Sequence, residues 1–256
     1  MKKLARRLIN TMGYDLARRN GHPREVFTDI KEEEFWELYE LCRPYTMTST
    51  ERMYALYQSM RYVLDAGIEG AFVECGVWRG GSSMLMAQML ANRGISDREI
   101  WLYDTFEGMT EPSEHDVAHD GQSADEMMVE EGYDEAGKSN WCHADLVDVQ
   151  SNIGRTSYEF SKVAFIEGMV EETMPASMPE GPIALLRLDT DWYDSTKHEL
   201  IHLYPKLVNR GVLVIDDYGF WEGARKAVDE YFADADHAML LNRVDLTGRV
   251  GIKLVG

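Results

Sequence analysis

Cysteine is scarce and scattered: the 256-residue chain holds three, Cys42, Cys75 and Cys142, with no C-x-x-C pair and an odd total. That excludes a secreted disulfide framework and points to a reducing, cytoplasmic setting. Positive charge is short as well, with 26 Lys and Arg against 45 Asp and Glu and a formal net charge of -19. A surface that grips nucleic-acid phosphates needs local positive charge, so nucleic acid is not the expected partner. No apolar run approaches the roughly 20 residues of a membrane-spanning helix, and the basic first twenty residues carry no signal-peptide apolar core. Also missing is the G-x-G-x-x-G turn that holds a dinucleotide pyrophosphate. What remains is globular: 45% hydrophobic and 11% aromatic residues, enough for one large α/β domain or two small ones.

Leu4, Leu8, Ile9 and Met12 recur at helical spacing among basic residues. They predict a short amphipathic helix that packs on the body or on a partner subunit, with a membrane surface as the alternative. A second helix is expected from Lys31 to about Cys42, punctuated by Pro44. A third starts at the capping-box spacing Thr48-Ser49-Thr50-Glu51, with Thr48 as the cap. From Ala71 the pattern alternates short apolar runs (Ala71–Val77, Ile100–Tyr103, Val163–Ile166, Ile183–Leu188, Val212–Ile215) with helices, among them Ser82–Arg93 and Ser195–Val208. That alternation means a parallel sheet covered by helices on both faces. Two further runs, Met239–Asp245 and Arg249–Val255, flank Leu246-Thr247-Gly248 and read as a hairpin. The expected fold is therefore α/β, a seven-stranded, mostly parallel sheet closed by an antiparallel C-terminal hairpin. This outline resembles the Rossmann-like class I methyltransferase fold. Residues 1–69 form an N-terminal helical region and 70–256 the main domain. Between Asp104 and Asp148 the rhythm breaks into fourteen acidic residues and one base, Lys138. An insertion at the C-terminal end of a strand borders the ligand rim of an α/β sheet, so residues about 105–144 are expected to form a lid.

The candidate chemistry sits at strand ends. The first strand closes in V-E-C-G-V-W-R-G-G-S-S (73–83). Its glycine admits a ligand to the backbone, and its acidic residue, Glu74, suits an ammonium-bearing ligand such as S-adenosylmethionine, with Ser82 near the carboxylate. Asp104 ends the second strand, about thirty residues after the first glycine turn, where an acidic residue accepts ribose hydroxyls. The fourth strand ends in Asp189 and Asp191, the fifth in Asp216 and Asp217. Four converging carboxylates repel one another unless a cation offsets them, and an all-oxygen donor set points to Mg²⁺ or a similar ion. Asp189, Asp216 and Asp217 are assigned to the metal and Asp191 to the general base that takes a hydroxyl proton.

The strings P-Y-T-M-T-S (44–49), F-V-E-C-G-V-W-R-G-G (72–81), Y-D-T-F-E-G-M (103–109), L-L-R-L-D-T-D-W-Y-D-S-T (185–196), L-Y-P-K-L (203–207) and I-D-D-Y-G (215–219) closely resemble the macrocin O-methyltransferase family, from about Tyr45 to the C-terminus. The resemblance implies a Mg²⁺- and S-adenosylmethionine-dependent enzyme that methylates a sugar hydroxyl on a glycoside, polysaccharide or secondary metabolite. It implies cofactor contacts at Glu74, Gly76, Val77, Trp78, Ser82, Asp104, Thr105, Phe106, Glu167, Gly168 and Asp189, the segment Phe165–Gly168 bordering the adenine. It places substrate contacts at Tyr45, Met47, Thr48, Trp192 and Tyr218, the Tyr45–Thr48 loop lying over the site, and it implies a homo-oligomer. One departure stands out: antibiotic-modifying members commonly read D-G-D-L-Y where this chain has Asp189-Thr190-Asp191-Trp192-Tyr193. Other readings weighed are a catechol-type O-methyltransferase, a non-catalytic S-adenosylmethionine-binding or scaffold protein of the same fold, and a nicotinamide oxidoreductase. The missing phosphate-binding glycines disfavour the last.

Overall fold

The computed structural model describes residues 22–135, 137–233 and 239–254; the helix expected around Leu4–Met12 lies outside the described residues. In chain order the elements are α1 (Pro23–Val26), α2 (Glu33–Cys42), α3 (Thr50–Asp65), β1 (Ala71–Cys75), α4 (Gly81–Asn92), β2 (Ile100–Asp104), α5 (Ala124–Glu131), α6 (Leu146–Ile153), β3 (Val163–Glu167), α7 (Val170–Thr173), β4 (Ile183–Leu188), α8 (Tyr193–His202), β5 (Leu207–Ile215), α9 (Glu222–Phe232), β6 (Asn242–Arg243) and β7 (Arg249–Ile252). The chain divides into two compact units, residues 1–36 and 37–256. In the first, the Trp36 indole donates to the Ile30 carbonyl at 3.1 Å and Arg24 pairs with Glu33. The second holds the whole sheet, and α3, which the sequence groups with the N-terminal region, packs there against β4 and β5.

The sheet has seven strands in the order β3-β2-β1-β4-β5-β7-β6. The first five are parallel, and β7 runs antiparallel to both β5 and β6, which is the expected arrangement with one reversed strand. β1 and β4 are buried along their whole length, the signature of central parallel strands covered on both faces. The chain moves outward from β1 to β3 and then crosses back to β4. The switch point therefore lies between β1 and β4, and a crevice opens beyond their C-terminal ends.

Two boundaries differ from expectation. The helix expected over Ser195–Val208 stops at His202, because Pro205 forces a turn over Tyr204–Lys206 and Leu207 already pairs with Ile183 in the sheet. The cap of α3 is Ser49, not Thr48: the Ser49 hydroxyl accepts from the Arg52 amide at 3.1 Å. Thr48 is thereby free to accept from Arg187 Nη2 at 3.2 Å.

The acidic insertion is held by apolar contacts. Trp141 from the insertion packs on Trp192 and Trp221 with ring centroids 5.8 and 5.9 Å apart, and Trp192 meets Trp221 edge-on at 4.9 Å. Ala118 and Ala124 complete this cluster. Asp116 of the insertion accepts from the Tyr193 amide at 2.8 Å and so caps α8.

Gly76 shows how closely the crossing loops approach. Its φ is +79°, and a Cβ there would lie 2.0 Å from the Asp189 carbonyl oxygen, which is backbone and cannot yield. Gly76→Ala combines that clash with left-handed strain, so equilibrium denaturation should show a loss of at least about 2 kcal/mol.

Candidate active site

Arg187 organises the site. It stands in the middle of an otherwise apolar strand and is 2% exposed. A buried guanidinium is tolerated only with several partners. The register supplies the first: Glu74 of β1 is the Cα neighbour of Arg187 in the β1–β4 ladder, and Arg187 Nη1 donates to Glu74 Oε1 at 2.6 Å. Nη1 also donates to Asp189 Oδ2 at 2.7 Å, and Nη2 lies 2.8 Å from Asp216 Oδ1. Burial pushes the guanidinium pKa down, but Asp189, Asp216 and Glu74 outweigh it and hold it well above its ordinary value. Arg52 of α3 is a second cation here: it pairs with Asp216, and its Nε lies 3.1 Å from Asp245 Oδ2.

The four strand-end aspartates consequently divide. Both oxygens of Asp216 face guanidiniums, Oδ1 that of Arg187 and Oδ2 that of Arg52. Asp189, Asp191 and Asp217 each offer an oxygen, and these atoms lie within 4.8 Å of one another. The set the structure draws together is thus 189, 191 and 217, in place of the expected 189, 216 and 217. Burial and mutual repulsion raise all three. Asp191 is pushed up to about 7, first by burial and then by Asp189; Asp189 and Asp217 go well above the carboxylate range, burial again leading. Three raised carboxyls hydrogen-bonding to one another must share protons, a deficit of positive charge that a divalent cation with hard oxygen ligands fits. Asp191 has φ +73°, and its carboxyl faces Asp217 and the Trp221 indole.

A cavity of about 250 Å³ opens beside this cluster. Gly76, Val77, Trp78 and Ser82 form its wall after β1, Asp104 and Thr105 after β2, and Gly168 after β3. Asp189, Asp191, Asp216 and Asp217 close it, and Tyr45, Met47 and Thr48 cover it. The covering strap lies close because Gly81 has no side chain: a Cβ there would sit 2.7 Å from the Tyr45 carbonyl oxygen. The Tyr45 ring has the Arg79 and Arg155 guanidiniums at 5.1 and 5.6 Å from its centroid. Asp104 shapes the turn after β1, accepting from the Val77 and Trp78 amides at 2.7 and 3.0 Å and from the Phe106 amide at 2.7 Å.

Five expected contact residues are off this wall. Glu74 points into the sheet layer, 1% exposed, with its oxygens on Arg187 and Ser83. Phe106 is buried in the turn and Glu167 faces solvent. Trp192 belongs to the tryptophan cluster, and the Tyr218 hydroxyl donates to Asp229. Conversely, Arg52, Arg187, Cys142 and Trp221 were given no role by the sequence reading. The signal for Arg187 was present: a lone charge inside L-L-R-L on a fully buried strand must have a partner.

Replacing Arg187 by Met leaves Glu74 and Asp216 buried without their shared cation. Chemical denaturation should record a loss on the order of 3–5 kcal/mol. Asp191 carries its own pH signature. The folded chain keeps the proton up to about pH 7, whereas the unfolded chain releases it near pH 4. Its contribution to stability is therefore present below about pH 4 and lost as pH rises to 7. Without divalent cation, the stability of wild type relative to Asp191→Asn should fall across that window, as read by melting temperature; a flat difference would contradict the assignment.

The family model for Macrocin-O-methyltransferase (TylF) matches residues 40–250. The chain is 33% identical over 211 residues to demethyldecarbamoylnovobiocin O-methyltransferase of Streptomyces niveus, covering 80% of this chain and 74% of that protein. It is 34% identical over 205 residues to 8-demethyl-8-(2,3-dimethoxy-alpha-L-rhamnosyl)-tetracenomycin-C 4'-O-methyltransferase of Streptomyces olivaceus, with 80% and 74% covered. The solved structure of the O-methyltransferase NovP superimposes with a TM-score of 0.68 at 31% identity, covering 82% of each chain. With its class I methyltransferase sheet and a match over nearly the whole second unit, this chain belongs to the macrocin-O-methyltransferase (TylF) family and is an O-methyltransferase.

Proposed function

We propose that the chain transfers the methyl group of S-adenosylmethionine to a sugar hydroxyl of a glycosylated secondary metabolite, with Mg²⁺ or a similar divalent ion at the acidic cluster. The observation that carries this reading is the placement of the three cation-deficient carboxyls, Asp189, Asp191 and Asp217, on the wall of the cavity that the β1 and β2 turns open. The sugar acceptor is supported by the names of the relatives, one of which acts on a rhamnosyl-bearing tetracenomycin.

When bound, the two groups supply an electrophilic sulfonium methyl and a positive charge that acidifies the acceptor hydroxyl. The rest is the work of the chain. Asp104 borders the cavity after β2 with its carboxylate fixed by the Val77, Trp78 and Phe106 amides, and its remaining lone-pair capacity would accept a ribose hydroxyl. The Gly76 turn and Ser82 line the cavity after β1 and would border the methionine end. Asp189 and Asp217 would hold the cation, consistent with the one or two carboxylates that Mg²⁺ usually takes from a protein. Asp216 stays with its two guanidiniums. Asp191 would accept the proton that the acceptor hydroxyl gives up on methylation. The Tyr45–Thr48 strap lines the cavity beside these aspartates.

Calorimetric titration of S-adenosylhomocysteine, with and without Mg²⁺ and beside an NADH control, tests the cofactor. Micromolar binding of the homocysteine compound alone is the expected result; absence of binding under both conditions would remove the methyl-transfer reading. On a panel of glycosides set beside catechols, Asp191→Asn should retain that binding and lower turnover by at least about a hundredfold. Near-normal turnover would place the base elsewhere. Chelation should abolish turnover, and a chelator-resistant rate would remove the cation.

A further inference from the structure

The two helices that follow the aspartate loops begin in the same way. α8 starts at Tyr193, just after Asp191, and α9 at Glu222, a short loop after Asp217. Each has a tryptophan as its capping residue, Trp192 and Trp221, and neither side chain makes a capping hydrogen bond. An indole has a donor but no acceptor, so the orphan amides of both helices must find an oxygen elsewhere. Consecutive residues of the acidic insertion supply it. The Tyr193 amide donates to Asp116 Oδ1 at 2.8 Å, and the Glu222 amide donates to the Val117 carbonyl at 2.9 Å. The seam continues with the His119 amide on the Phe220 carbonyl at 2.8 Å.

Asp116 is itself firmly held. It is 1% exposed, and its second oxygen accepts from the Ser113 amide at 2.7 Å and the Ser113 hydroxyl at 2.8 Å. Its carbonyl accepts from the Ala124 amide at 3.0 Å. The neighbouring His115 ring meets the Tyr193 ring edge-on, with centroids 4.7 Å apart. A carboxylate at a helix N-terminus is electrostatically favourable, and one so enclosed moves only with the segment that carries it.

What this contact holds is the backbone of Asp191. That residue sits at φ +73°, in a three-residue turn closed by the Trp192 amide on the Thr190 carbonyl at 2.9 Å. A left-handed, non-glycine centre is costly and persists only where its flanks are pinned. Before it, the Asp189 amide donates to the Cys75 carbonyl at 2.8 Å. After it come the Trp192 indole on the Thr110 carbonyl at 3.0 Å and the Tyr193 amide on Asp116. Both partners on that side belong to the insertion.

We propose that Asp116 is a positioning residue and the insertion a brace: Asp116 takes the first amide of α8 while Val117 takes that of α9, which holds Asp191 in its turn and fixes its place relative to Asp217. The inference rests on the reading of Asp191 as the base, but its first test needs no turnover.

That test is residue-resolved hydrogen exchange on the full chain. Asp116→Ala should accelerate exchange at both the Tyr193 and the Trp192 amides by at least about tenfold, with β1 and β4 unchanged. A carboxylate that only capped α8 would move Tyr193 alone. Asp116→Asn keeps an oxygen for the Tyr193 amide and should hold the Trp192 rate within about threefold of wild type. Ser113→Ala, which loosens the same carboxylate on the side away from α8, should leave that rate unchanged. Wild-type exchange at Trp192 in Asp116→Ala would overturn the brace, as would an Asn variant as fast as Ala. If the Ala variant does not fold, the wild-type chain decides: its Tyr193 and Glu222 amides should open together, with one protection factor and one denaturant dependence, and differing values would overturn the proposal. In turnover, Asp116→Ala should lower kcat by at least about tenfold, with acceptor KM and S-adenosylhomocysteine affinity within about threefold of wild type. It should have no further effect in the Asp191→Asn background, and an equal loss there would show that Asp116 does not act through Asp191. S-adenosylhomocysteine binding and the Asp191→Asn rate in the otherwise wild-type chain judge the methyl-transfer and base readings separately.

Discussion

The structure depends on one buried cation. Arg187 draws Glu74 from β1, Asp189 from the end of β4, Asp216 from the end of β5 and Thr48 from the covering strap onto a single guanidinium. Four segments distant in sequence are thereby fixed around the topological switch point, each by a directional, charge-assisted contact rather than by apolar packing alone. The same arrangement decides which carboxylates remain available. Both oxygens of Asp216 face Arg187 and Arg52, so the oxygens drawn together beside them are those of Asp189, which shares Arg187, and of Asp191 and Asp217. That grouping is the ground for the cation and base roles proposed above.

The covering elements follow different physics. The insertion between β2 and α6 is strongly acidic, yet it is fastened by three tryptophans and small buried residues, and one of its acids has a structural use. Asp116 satisfies the N-terminus of α8, and its oxygen fills the space that a Cβ on Gly223 would need. The strap over the cavity is held differently, by cation–π contacts to Tyr45 and by the hydroxyl of Thr48 on Arg187. Net negative charge and an ordered insertion are therefore compatible, because most of the charges stay on the wet face while a minority of residues does the packing.

Most of the fold was legible because its signals are local. Continuous apolar runs marked β1 to β5, and Leu246-Thr247-Gly248 marked the reversal that makes β7 antiparallel. The aspartates at the strand tips were legible for the same reason, since strand ends converge on one rim. Which of them is free was not legible. That depends on Arg52, on a helix far upstream, reaching Asp216 across 164 positions of sequence. Glu74 was misplaced for a related reason: the alternation of β1 turns it into the sheet layer, where its strand neighbour Arg187 takes it. Thr48 looked like the cap of α3, but the box motif has three hydroxyls in succession, and only the fold shows that Ser49 takes the amide while Thr48 serves the guanidinium.

The left-handed backbone at Asp191 also narrows what evolution can try there. Among side-chain-bearing residues, asparagine and aspartate are the types that enter this region most readily, and β-branched or bulky residues are nearly excluded. On the proposed role as base, position 191 is thus filtered twice, once by conformation and once by the need for an ionisable oxygen, and the two filters overlap at aspartate. Glutamate would satisfy the chemistry but sit poorly in the turn, and glycine would satisfy the turn but supply no acid. The geometry of a single peptide unit therefore keeps the acid at its short length, and with it the distance between the base and the cavity.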